Sequence, residues 1–241
     1  MFFKRNPKEA RASFFVYYGF GALDALGEYS QVVLQPDHYT QEDLLGLKAG
    51  GTKPLAYLSL GEHFPTRGEQ AVWQRPARND DWATHYVQVG HPLWQKHLRS
   101  RAAAYLAKGF EGLFLDTLET VDVFPEDRAP MLALLTSLRA VVGAKPLVAN
   151  RGFSLLPELA PLVDAVLFEG FSTRWTAEGY EALAKGDLEW TRHTAERLRR
   201  AGLEVYALDY GATPELRAFA QQRANTFGLE SLVSNRDLTE I

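Results

Sequence analysis

The 241-residue chain contains no cysteine. Disulfides, thiolate metal sites and a cysteine nucleophile are therefore excluded, while the compartment is left open, because cysteine-free proteins occur on both sides of a membrane. Long apolar runs are also missing: none reaches the ~18 residues of a membrane span. The start, Met1-Phe2-Phe3-Lys4-Arg5-Asn6-Pro7, lacks the apolar centre of a signal peptide, so a cytoplasmic protein or one with a trimmed export signal is expected. There is no excess of positive charge. Lys and Arg number 26 against 30 Asp and Glu, for a net charge of −4, so no basic field exists to hold a nucleic-acid backbone, and nucleic acid is not expected as a partner. Three reaction signatures are absent too: a Gly-x-Ser-x-Gly nucleophile elbow, a P-loop, and a glycine-rich dinucleotide turn after the first strand. Histidine adjoins an acid at Asp37-His38 and Glu62-His63. Adjacent strand residues point to opposite faces, so each pair supplies at most one inward ligand, and neither a metal nor an organic cofactor is expected.

What is present is a repeated grammar. An amphipathic helical stretch closes on glycine, and a short apolar strand follows and ends in polar residues, as parallel β/α structure requires. Helices are predicted over Pro92–Lys108 before Gly109, Glu126–Val142 before Gly143, Asp187–Ala201 before Gly202, and from Pro214 to Gly228 with Thr213 as N-cap. Strands are predicted at Ser13–Tyr18, Gln31–Leu34, Leu55–Leu60, Leu113–Asp116, Pro146–Asn150, Ala165–Glu169, Glu204–Asp209 and Leu229–Val233. Eight strands interleaved with helices, in a chain close to the ~250 residues of a (β/α)8 barrel, predict a single TIM-barrel domain over residues 1–241. The link Gly19–Ser30 is too short and glycine-rich for a good helix, so the first β/α unit is expected to be degenerate. Two insertions stand out: Glu62–His91 after the third strand, with Phe64, Trp73, Trp82 and Tyr86, and Gly170–Tyr180 after the sixth, with Phe171, Arg174 and Trp175.

The chemistry is suggested by Gly109-Phe110-Glu111-Gly112-Leu113-Phe114-Leu115-Asp116-Thr117, where an apolar run ends abruptly on a carboxylate. Ala165-Val166-Leu167-Phe168 ends the same way on Glu169. Two acids at the C-terminal tips of two parallel strands face the mouth of a barrel, and acid pairs held like this break glycosidic bonds. Either acid alone could instead cap the next helix or pair with an arginine. Read together with them, the strand ends offer Tyr18, Asp37, Glu62, Asn150, Arg151, Asp209, Tyr210 and Asn235, with Trp175 as an aromatic platform. Carboxylates, amides and aromatic faces are what a sugar site needs, although Asp37 and Asn235 also suit turns and caps.

Leu55-Ala56-Tyr57-Leu58-Ser59-Leu60-Gly61-Glu62, the Gly109–Thr117 block, Asn150-Arg151-Gly152-Phe153 and Phe168-Glu169 together resemble the signature blocks of the endo-α-1,4-polygalactosaminidase family (glycoside hydrolase family 114). That family includes the glycosidase domains of proteins that process the Pel exopolysaccharide of biofilms. The resemblance runs from about Phe14 to Asn235. It implies an endo-acting, retaining hydrolase of α-1,4-linked galactosamine or N-acetylgalactosamine polymers, extracytoplasmic or secreted; a monomer is expected. By position it makes Asp116 the nucleophile and Glu169 the general acid/base, with the other strand-end residues as substrate contacts. The competing expectation is a barrel that binds polysaccharide without cutting it.

Overall fold

The computed structural model describes residues 12–64 and 71–241. The start Met1–Pro7 and part of the Glu62–His91 insertion lie outside the described residues. Every predicted strand forms, with ends shifted by a residue or two. β1 (Ala12–Tyr17) is followed by a single helical turn, α1 (Leu23–Leu26), before β2 (Tyr29–Leu34), which is the degenerate first unit. α2 (Gln41–Ala49) opens on a capping box, with Asp43 N donating to Thr40 Oγ1 at 3.2 Å and Thr40 N donating to Asp43 Oδ2 at 2.7 Å. β3 (Lys53–Ser59) comes next. The described part of the insertion after it carries strands: β4 (Glu62–His63), β5 (Gln74–Asn79) and β6 (Thr84–Val87) form a small antiparallel sheet in the order β4-β6-β5.

α3 (Pro92–Lys108) has the predicted bounds and leads to β7 (Gly112–Asp116). A short α4 (Thr120–Val123) precedes α5 (Arg128–Val142) and β8 (Leu147–Asn150). Only a 3-10 turn, Phe153–Leu155, stands among the helical elements between β8 and β9 (Ala165–Glu169). The second insertion is a hairpin, β10 (Thr173–Thr176) with β11 (Gly179–Ala182). α6 (Lys185–Arg200), β12 (Glu204–Tyr210), α7 (Pro214–Thr226) and β13 (Glu230–Ser234) complete the chain, with Thr213 capping α7 as predicted.

Eight parallel strands are ordered β1-β2-β3-β7-β8-β9-β12-β13 and curl into a (β/α)8 barrel. At its seam a side chain supplements backbone: the Glu230 carboxylate of β13 accepts from Ser13 N and Phe14 N of β1, and Tyr18 N donates to Leu238 O at 2.8 Å. The strands are apolar on both faces because both are covered. Inside, Phe14 stacks on Tyr206 at 4.3 Å and meets Phe114 at 6.4 Å, filling the barrel below the tips. Outside, Phe168 packs against Trp190 of α6, and Phe171 against Phe227 after α7. Phe14, Phe114, Phe168 and Phe171 are buried and each contributes about 1.5–3 kcal/mol. With the interior filled, open space is left at the C-terminal mouth.

Candidate active site

β8 lies between β7 and β9 in the sheet, so Asn150 at its tip stands between Asp116 and Glu169. Its amide nitrogen donates to both acids, to Asp116 Oδ1 at 2.9 Å and to Glu169 Oε2 at 2.6 Å. Because one nitrogen reaches both oxygens, they can be no further apart than the two contacts laid end to end, an upper bound that the ~5–5.5 Å carboxyl spacing of retaining glycosidases satisfies. Each acid also has a phenol. Tyr57 donates to Asp116 Oδ2 at 2.7 Å, and Tyr210 donates to Glu169 Oε1. Burial pushes Tyr57 and Tyr210 well above the ordinary phenol range, and Asp116 and Glu169 respectively add to the effect, so both tyrosines stay protonated donors. The hydrogen-bond partners of the two acids are thus neutral groups, not arginines.

The backbone turns sharply just past these tips. Thr117 (φ 62°) and Arg151 (φ 55°) are left-handed, a conformation that costs a non-glycine residue about 1 kcal/mol or more. Thr117 is held there by its own hydroxyl, which accepts from Leu60 N at 3.1 Å and Gly61 N at 2.8 Å and bonds Ser59 Oγ at 2.9 Å. Gly61 must be glycine, since a Cβ would overlap Thr120 Oγ1 and come within 2.6 Å of Thr117 O. The chain therefore leaves β7 without dragging Asp116 out of the mouth.

A cleft of about 720 Å3 opens over the pair. Tyr18, Asp37, Glu62, Asn150, Arg151, Trp175 and Tyr210 line it together with Asp116 and Glu169. Their situations differ. Tyr18 is half-buried beside both acids, and desolvation pushes its phenol well up, whereas Asp37 is exposed at the edge, 3.9 Å from Arg101. Glu62 lines the wall but spends its carboxylate on Asn79 Nδ2 (3.0 Å) and Thr84 Oγ1 (2.6 Å), anchoring the small sheet.

Two expected substrate contacts are corrected. Asp209 is fully buried and points away from Tyr210 by strand alternation; it accepts from Ser172 N and, at 2.8 Å, from Thr173 N, holding the entry to the β10–β11 hairpin. Asn235 folds onto its own segment, accepting from Thr239 N at 2.9 Å and donating to Thr239 Oγ1 at 2.9 Å. Neither belongs to the residues lining the cleft.

Residues not expected as site residues also line it: Tyr57 of the first signature block, Glu119, Trp82 of the first insertion, and one face of α3 comprising Trp94, His97, Arg101 and Tyr105. The signal for the last was present as an i, i+4, i+8 pattern at His97, Arg101 and Tyr105. Glu119 is the most perturbed acid of the cleft: burial first, then the charge of Asp116, pushes it up to about 8. Among the described residues, no group of three or more His, Cys, Asp or Glu is placed to hold a metal ion.

Comparison with known proteins identifies the family and the fold. An uncharacterized protein of Deinococcus radiodurans is 26% identical over 216 residues, covering 80% of this chain and 67% of that protein. The glycoside hydrolase domain of PelA from Pseudomonas aeruginosa superposes with a TM-score of 0.86 at 30% identity, covering 95% of this chain and 97% of that one. Ega3 of Aspergillus fumigatus, solved in complex with galactosamine, shares the fold at a TM-score of 0.77 and 13% identity, over 95% and 92% of the two chains. The sequence model of glycoside-hydrolase family GH114 matches residues 8–241, nearly the whole chain, and the protein is a member of that family of glycoside hydrolases.

Proposed function

We propose that the chain is an endo-acting, retaining hydrolase of α-1,4-linked galactosamine or N-acetylgalactosamine polysaccharide. The observation that carries the two-carboxylate mechanism is Asn150, whose single amide nitrogen bridges Asp116 and Glu169. In the first step an Asp116 oxygen attacks the anomeric carbon while the glycosidic C–O bond breaks and Glu169 gives its proton to the leaving oxygen. In the second, water attacks the same carbon, its proton passes to Glu169, and Asp116 is released as carboxylate. Tyr57 and Asn150 orient the nucleophile; Tyr210 and Asn150 orient the acid. The galactosamine-type substrate is supported by the relatives, since PelA contributes a glycoside hydrolase domain and Ega3 binds galactosamine.

The test is a reducing-end assay on amino-sugar polymers of different acetylation, with product sizes followed over time. Internal cutting gives mixed oligomers early. Asp116→Asn and Glu169→Gln should keep wild-type circular dichroism and lose at least about a thousandfold in kcat, in keeping with the size of effects at catalytic groups. Wild-type turnover in either variant sinks the assignment, and release of monosaccharide alone from chain ends sinks the endo mode.

A further inference from the structure

One carboxyl of the cleft has no place in the two-step scheme. Glu119 lies three residues past Asp116, beyond the left-handed Thr117, and lines the cleft with both acids. Its Oε2 is buried with no hydrogen-bond partner. Asn150, which is 5% exposed, likewise leaves Oδ1 buried and unpartnered while its nitrogen serves the catalytic pair. Two acceptors without donors therefore border one acidic space. The charged groups acting on Glu119 are Asp116 from β7, Glu169 from β9 and Arg151 after β8, and Glu119 in turn raises the phenol of Tyr86 on β6. Glu119 and Arg151 also wall a second cavity of about 300 Å3, lined by Asp122 and Arg197 among others.

An ammonium group is the chemical complement of such a place, because it offers three N–H donors and no acceptor. It also brings the positive charge that a third carboxylate beside Asp116 and Glu169 needs. We propose that Glu119 is a specificity-determining residue for the 2-amino group of the sugar, pairing as a carboxylate with a protonated galactosamine nitrogen and standing as a neutral acid otherwise. The proton balance is simple. Galactosaminium binds the protonated carboxyl, the ion pair forms, and one proton leaves to solvent. An N-acetyl group carries no charge, so Glu119 keeps its proton beside it. The free carboxyl is held up near 8 by burial and by Asp116, so the exchange is readable around neutral pH. This inference rests on the proposed amino-sugar substrate and names the residue that reads its acetylation.

Calorimetric titration of the wild-type chain with galactosamine and with N-acetylgalactosamine, in buffers of different ionisation enthalpy, reads the proton directly. Galactosamine should release up to one proton at about pH 7, and its Kd should tighten by up to about tenfold for each unit that the pH rises toward about 8, weakening equally as the pH falls. N-acetylgalactosamine should release none. Glu119→Gln keeps the neutral shape without the ability to ionise, so the release should vanish and the preference for galactosamine should drop by about tenfold, the size of one charge-assisted hydrogen bond. The same split should appear as the ratio of kcat/KM on deacetylated over acetylated polymer, and Glu119→Asp should restore part of it. Galactosamine binding without proton release, or an unchanged ratio in Glu119→Gln, overturns the inference while leaving hydrolysis intact. If the wild type binds neither sugar and cuts no amino-sugar polymer, the substrate reading itself fails and takes the inference with it.

Discussion

Asn150 shows how much one amide contributes at this site. It sits at the tip of the strand between the two acids, 5% exposed, and donates to both. Asn150→Ala should fold and lose about 10²–10³ in kcat, the range for removing one preorganised donor, with KM little changed. Michaelis curves on a soluble amino-sugar oligomer check this, and a loss confined to KM would make Asn150 a substrate contact instead. Asp116, Glu169 and Asn150 were legible in the sequence because each ends an apolar run. Tyr57 was not, because it lies inside its strand, and its choice depends on register: Tyr57 pairs with Phe114, which brings its hydroxyl to the neighbouring tip. Glu119 depended on the left-handed turn at Thr117, which no residue type announces. Asp209 failed in the opposite sense. Its strand runs one residue further than predicted, to Tyr210, and of two polar residues at the tip only one can face inward.

Among the elements, the two insertions matter most. The small β4–β6–β5 sheet and the β10–β11 hairpin meet at Arg236, whose guanidinium lies 3.8 Å from the Trp175 ring and 4.6 Å from Trp82 and donates to Asp81 O at 2.8 Å. Tyr180 of the hairpin accepts from Arg236 N at 2.9 Å. All three stacked side chains line the cleft. Arg236→Ala removes two cation–π contacts of about 0.5–2 kcal/mol each and should raise KM for polymer several-fold, with kcat within about twofold. An unchanged KM would show that this rim does not meet substrate. The length and aromatic content of both insertions were visible, their strands were not. β5 reads Gln74-Arg75-Pro76-Ala77-Arg78-Asn79, polar and interrupted by proline, with its pairing shifted between Gln74 and Arg78. Such a sequence is strand only as the edge of a sheet whose other members supply the pairing.

For the whole molecule, two measurements follow from the collected charge. Carboxylates outnumber cations at the mouth, so a cationic, deacetylated polymer should be drawn in by a field that salt screens within about 8 Å at physiological ionic strength. Its kcat/KM should fall across a salt series while that of a fully acetylated polymer stays flat, and equal slopes would remove the electrostatic contribution. Stability should respond to pH as well. The folded carboxyls of Glu119 and Asp209 are raised chiefly by burial, so the folded chain holds protons that the unfolded chain has already released. A raised acid stabilises least where it must ionise: stability falls as pH rises from the ordinary glutamate range through about 8, and levels off above. Thermal melts over that window should slope downward, and Glu119→Gln should flatten the slope. A wild-type melt that rises with pH there would contradict the placement of Glu119.

The sequence alone determined the barrel, because eight apolar runs buried on both faces, with glycine stops after four helices and an N-cap at Thr213, are local signals. It also determined which acids end strands. Only the tertiary structure decided which polar residues share the cleft, since side-chain direction at a strand end changes with a single residue of register and with the turn that follows. It likewise decided that one amide spans both acids and that Glu119 enters their field, because both depend on distances between segments far apart in the chain.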